Sequence, residues 1–247
     1  MHIASNLERL QNEIANACAR AHRNVSTVAL MAVSKMHPAE AVREAYEAGQ
    51  RLFGENRVQE WQTKRTDLAD IFDTTRSLSP SAQDLTDLFP AAQIHLIGPL
   101  QNNKTSRAAE IFDAIDTLDS FKTAERLNSA AHSLGKTLRV LIEVKLSHED
   151  TKHGLAPEEL PTLLRALQPL THLEPRGLMT VPPFDQNPEA ARPYFRHLRR
   201  LRDESLILCP TLTDLSMGMS NDFVVAIQEG STAVRLGTAI FGKRIYN

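Results

Sequence analysis

Lys35 and two short runs of small and hydroxylated residues far downstream are the side chains whose types could do chemistry together. Lys35 ends the run VALMAVSK at residues 28–35, which reads as a buried β-strand delivering one lysine at its C-terminal end. An ammonium there must be solvated, paired or shifted in pKa, and a desolvated lysine with a lowered pKa is a good nucleophile toward carbonyls. The downstream runs are LSMGMS at 215–220 and VRLGT at 234–238. They offer hydroxyl donors and backbone amides that glycine leaves open to close approach, the composition of a phosphate cradle. Amine and cradle together suggest a phosphorylated carbonyl compound held as a Schiff base.

Positioning these groups requires an ordered series of elements. Leu7, Leu10, Ile14, Cys18 and Ala21 recur at helical spacing, so residues 3–22 read as an amphipathic helix. The strand at 28–35 follows, and Pro38 suits the first position of a helix that Gly49 ends. Further strands are expected at 51–54, 93–98, 114–118, 138–146, 175–181, up to Ser216, and at 232–236. Helical segments alternate with them, including 188–204 and 222–229, and a last helix-like turn is expected at 239–246. A polar segment at 66–92, rich in Ser, Thr and Asp and expected to hold a short helix near 82–89, joins a helix to the next strand. In a β/α repeat it therefore lies on the face away from the site.

Eight strands each followed by a helical segment, in 247 residues, is the profile of a single (β/α)8 barrel with an extra N-terminal helix. An open doubly wound sheet is the alternative, weakened because no GxGxxG follows the first strand. No linker rich in Pro, Gly or Ser divides the chain, so residues 1–247 are expected to form one domain.

Bulk properties narrow the function classes. The formal charge is −2, which creates no global field favouring nucleic acid or an anionic membrane. No apolar run approaches the ~20 residues of a membrane span, and the N-terminus lacks the apolar core of a signal peptide. Cys18 and Cys209 form no CxxC pair and read as reduced thiols. A cytoplasmic, monomeric protein is expected.

In a barrel, the C-terminal strand ends converge on one mouth, where active sites lie. Lys35, Glu55, Asn56, His95, Asp119, Lys145, Met179, Ser216 and Arg235 are expected to arrive there. His95 by spacing alone reads as a satisfied structural histidine. His148 and His153 match no zinc pattern, so no metal is expected. Arg192, Arg196, Arg199, Arg200 and Arg202 read as a solvated helix face rather than a nucleic-acid patch.

These residues carry a resemblance. AVSK at 32–35, FGEN at 53–56, QE at 59–60, HLIGPLQ at 95–101, NK at 103–104, GLM at 177–179, LSMGMS at 215–220 and VRLGT at 234–238 closely resemble the YggS/PROSC family of pyridoxal phosphate homeostasis proteins, across nearly the whole chain. The resemblance implies a barrel of the alanine racemase N-terminal type with pyridoxal 5′-phosphate (PLP) at its mouth. It implies that Lys35 forms the Schiff base, that Ser216, Ser220, Gly237 and Thr238 supply the phosphate cradle, and that Gly218 and Met219 also bind the cofactor. Asn56, His95 and Met179 would line the cofactor. Arg235 would face the pyridine nitrogen, disfavouring ring protonation and weakening the electron sink.

Three departures stand out. Lys145 replaces the family's usual asparagine after the fifth strand, although Lys152 and Gly154 match. The 66–92 segment is longer than usual, and Ile94 stands where tryptophan is common. The resemblance implies a carrier of PLP without established turnover, supplying PLP-dependent apo-enzymes. The alternative is a PLP-dependent amino-acid racemase, which needs acid–base groups on both faces of the substrate Cα. The second, β-rich domain that provides one of them in racemases is expected to be absent.

Overall fold

Ile3, Leu7, Leu10, Ile14, Ala17 and Cys18 are the buried side chains of α1 (Ile3–Arg20), and their spacing puts them on one face. Positive φ at His22 ends this helix two residues before the sequence-based boundary. The computed structural model describes residues 3–72, 92–147 and 153–242. The expected short helix near 82–89, His148, Lys152 and the second half of the last expected turn, residues 243–246, lie outside them.

Eight strands close into a barrel in chain order: β1 (Ala29–Val33), β2 (Leu52–Glu55), β3 (Gln93–Leu96), β4 (Ala114–Leu118), β5 (Leu138–Glu143), β6 (Leu173–Met179), β7 (Asp214–Ser216) and β8 (Ala233–Leu236). Every neighbouring pair is parallel, and β1 returns to β8 with Met31 opposite Arg235. The family-type (β/α)8 barrel read from the sequence is the observed fold, and the doubly wound sheet is not.

The outer layer contains α2 (Ala39–Glu47), α3 (Val58–Asp67), α4 (Ala69–Phe72), α5 (Thr105–Ile111), α6 (Phe121–Ser133), α7 (Leu160–Leu167), α8 (Arg192–Ser205), α9 (Phe223–Gln228) and α10 (Thr238–Phe241). α6 starts at Ser120, whose hydroxyl accepts from Thr123 N–H. The main apolar core lies between the strands and these helices and includes Phe53, Trp61, Phe112, Leu127, Phe195 and Leu236. α1 packs across the seam beside β8, where Asn6 Nδ2 donates to Ile240 O at 2.8 Å and Ile3 N–H donates to Glu44 Oε1.

Two strand boundaries differ from the sequence reading in ways that matter for the site. β1 stops at Val33, so Lys35 sits in a turn beyond the strand. β5 stops at Glu143. Val144 then makes a single parallel bridge to Leu155, and Lys145 N–H donates to Leu155 O. Val144 N–H still donates to Met179 O of β6, and from Lys145 onward the chain pairs with Leu155 instead.

Candidate functional site

Strand alternation sends Val33, Glu143 and Arg235 toward a cavity of about 480 Å³ at the C-terminal end of the barrel, which Ile97 lines from just beyond β3. Lys35 and Asn56 line it from the loops after β1 and β2. Met219, Ser220, Gly237 and Thr238 line it from the loops after β7 and β8. Seven of the expected site residues therefore share one wall-to-wall space. Lys145 also lines it, from the β5 side, as do Asn187 and the highly exposed Phe184 on the loop after β6.

Lys35 is aimed by a β-turn. His37 N–H donates to Ser34 O at 3.1 Å, leaving Lys35 and Met36 at the two central positions. Met36 has φ of 61°, the left-handed region that turns of this kind demand at their third residue and that glycine or asparagine usually supplies. A non-glycine residue there costs roughly 1–2 kcal/mol, which the surroundings must offset.

The opposite wall is a tight turn. Met219 N–H donates to Asp222 Oδ1 at 2.6 Å, and Phe223 N–H returns to Met219 O at 2.9 Å. This leaves the half-buried Ser220 beside the cavity. Gly237 precedes α10, whose first N–H groups have no intrahelical partner. A Cβ at Gly237 would approach Val33 O to 3.2 Å, so the close packing of β8 against β1 at this point depends on its absence. Hydroxyls, helix-start amides and a neighbouring amine form a donor set suited to a phosphorylated aldehyde, and the cavity volume admits one.

Arg235 forms part of the floor. It is 5% exposed, its Nη1 donates to Ser216 Oγ at 2.7 Å and its Nη2 to Thr180 O at 2.8 Å. Burial pulls its pKa down, against the carboxylates of Asp116, Glu143 and Asp222, which favour its charge.

Four of the expected cofactor residues are not brought to the mouth, and two others expected there, Glu55 and Asp119, do not line it either: Glu55 is fully buried and pairs with Lys64 instead. His95 and Ser216 line a second cavity of about 310 Å³, reached from the N-terminal ends of the strands and also lined by Asp116, Arg139 and Asp214. His95 is the third residue of β3 and points into the barrel too low to reach the mouth. Its Nδ1 lies 3.1 Å from Asp116 Oδ1. Burial opposes protonation of His95, yet the Asp116 and Asp113 carboxylates outweigh it and hold its pKa above the usual value. Met179 is 1% exposed, and its carbonyl accepts from Val144 N–H. Gly218 acts through its backbone: its carbonyl accepts from Arg235 N–H, and its φ is 97°.

The sequence reading missed Glu143 and Asp222. Glu143 lines the mouth, and burial pushes its pKa up to about 7, against the pull of Arg235 and with the nearby Asp119 adding to the rise. Burial likewise raises Asp222, opposed by its bond from Met219 N–H. A carboxylate at the end of the apolar run LRVLIE was the available signal for Glu143.

Among the described residues, no group of three or more His, Cys, Asp or Glu could hold a metal, and no helix is long and apolar enough to cross a membrane. On α8 and its flank, Arg192 and Arg196 pair with Glu229, and Arg199 and Arg202 pair with Asp203.

The alanine racemase N-terminal domain model matches residues 5–245. The chain is 41% identical to the pyridoxal phosphate homeostasis protein of Haemophilus influenzae, covering 100% of this chain and 98% of that one. It is 40% identical to the protein of the same name from Aquifex aeolicus, over the full length of both. The solved structure of PipY from Synechococcus elongatus with PLP bound superposes with a TM-score of 0.80 at 38% identity, covering 97% of this chain and all of that one. Alanine racemase of Clostridium difficile shares the fold at 15% identity and a TM-score of 0.71, over 57% of its length. Matched end to end by such relatives, and closed into the same barrel, the chain belongs to the pyridoxal phosphate homeostasis protein family of alanine racemase N-terminal-type barrels.

Proposed function

We propose that this protein binds PLP at the barrel mouth through a Schiff base on Lys35 and serves intracellular PLP homeostasis. The observation that carries the reading is the meeting of Lys35 with Ser220, Gly237 and Thr238 in one cavity. PLP, when bound, supplies an aldehyde that condenses reversibly with an amine. Lys35 provides that amine, while Ser220, Thr238 and the amides at the start of α10 receive the phosphate. Asn56 and Arg235 bound the space between them. The bonds from Arg235 to Ser216 and Thr180 fix its guanidinium in place, and the carboxylates of Asp116, Glu143 and Asp222 favour its positive charge at the floor of the site.

A fixed cation there suits holding the cofactor better than chemistry that needs a protonated ring. The whole chain acts as one barrel unit, a cytoplasmic monomer that gives up PLP to apo-enzymes without turnover of its own. Purified protein should show the visible absorbance of a PLP Schiff base, and borohydride should fix a pyridoxyl group on Lys35 by peptide mapping. A colourless protein that takes up no added PLP would remove this reading. Racemisation of amino acids by the loaded protein would replace the carrier with an enzyme.

A further inference from the structure

Lys64 lies on α3, on the far side of β1 and β2 from the cavity, yet it is only 9% exposed. Its ammonium has three donors and three acceptors: Ser34 O at 2.8 Å, Glu55 Oε1 at 2.8 Å and Glu60 Oε1 at 2.7 Å. Glu55 is fully buried and also receives the Ser34 hydroxyl at 2.7 Å. Glu60 Oε1 accepts a second bond, from the backbone N–H of Met36. Burial alone would raise Glu60. The bonds from Lys64 and Met36 overcome it and hold the carboxyl below its usual range.

The network grips the chain on both sides of one residue. Ser34 is held through its carbonyl and its hydroxyl, and Met36 through its amide. Lys35 lies between. Met36 is 51% exposed, so packing of its own side chain contributes little to its left-handed conformation. The bond to Glu60 is the specific interaction that does. Without it, a methionine would relax toward negative φ, and the turn that points Lys35 into the cavity would open.

We infer that Lys64 and Glu60 are positioning residues for Lys35, acting through the Met36 amide rather than by touching the ligand. The inference rests on the reading of Lys35 as the PLP-bearing amine, but its test does not need PLP. Trace acetylation of the ligand-free protein by acetic anhydride across pH, with peptide mapping, gives the half-labelling pH of Lys35 against surface lysines such as Lys122.

Glu60→Ala is expected to move that pH by one unit or more and to speed hydrogen exchange of the Met36 amide at least tenfold. Glu60→Gln keeps an acceptor oxygen, so its half-labelling pH should match wild type and its Met36 exchange rate should stay within about twofold. Adding Met36→Gly to Glu60→Ala should restore the labelling profile, because glycine adopts positive φ unaided. Glu60 is half-buried, so its variants are better suited to folding than Lys64→Met, which strands Glu55. An unchanged Lys35 profile in Glu60→Ala, or a failure of Met36→Gly to restore it, overturns the inference and leaves a purely structural ion cluster. Absence of a pyridoxyl adduct on wild-type Lys35 would instead strike the proposed function, with the labelling still deciding the positioning role.

Discussion

Arg235 Nη1 and Ser216 Oγ are 2.7 Å apart, in a part of the barrel where Ser216 is wholly buried. Ser216 is thereby an anchor for the buried guanidinium rather than a donor facing the mouth, whereas Ser220, four residues on, lines the cavity.

The two serines should therefore separate under mutation. Ser216→Ala removes an acceptor from a buried charge and should lower the unfolding free energy by ~1.5–3 kcal/mol. Ser220→Ala should change stability by less than ~0.5 kcal/mol while speeding loss of PLP during gel filtration. Denaturant titration and cofactor retention, measured on both variants, check the pair.

Glu143 predicts a pH dependence of stability. Its folded pKa is about 7, against a usual 4.5. Below pH 4.5 both folded and unfolded chains carry the proton, and its contribution is fully present. As pH rises toward 7 the unfolded chain ionises first, so stability is lost across that window, by at most roughly 3 kcal/mol. Glu143→Gln should lack this decline and be more stable than wild type at pH 8. Unfolding free energies at pH 5 and pH 8 for both proteins decide it.

Much of this architecture was legible from local pattern. Apolar runs and helical spacing located all eight strands, and the small and hydroxylated residues at 215–220 and 237–238 marked the wall opposite Lys35. What pattern could not supply is depth along the barrel axis. His95 in β3 and Ile97 just beyond its end are two residues apart, yet only Ile97 lines the mouth, because strand tilt and register decide which layer a residue joins. The same limit hid Glu143, whose neighbours in space are Arg235 of β8 and Asp119 just after β4. The Lys64–Glu60 pair shows an i,i+4 spacing that reads as surface decoration. Only packing of α3 against the Lys35 turn buries it.

His95 predicts a second pH effect in a different window. Paired with Asp116, it keeps its proton to higher pH in the folded chain than in the unfolded one. Its contribution is fully present below about pH 6.5 and is lost as pH rises through the folded value. His95→Gln should flatten the stability profile above pH 6.5 and leave the Glu143 decline below it intact. Because His95 lines the lower cavity, pyridoxyl labelling of Lys35 in this variant should match wild type. Weakened labelling would return His95 to the cofactor.

Gly218 ties loop geometry to retention. Its φ is 97°, and an added Cβ would sit 2.6 Å from the Ala226 Cβ and 3.0 Å from the Phe223 Cα. Backbone strain and overpacking together should cost Gly218→Ala ~2–4 kcal/mol. The displaced turn also carries Ser220, so PLP retention should fall with stability. Gly135→Ala is the control: φ is 64°, but nothing lies within 4 Å of the new Cβ. It should cost ~1–2 kcal/mol, from backbone conformation alone, and leave retention unchanged. Equal losses in the two variants would mean that backbone conformation alone, and not contact with α9, requires glycine at 218.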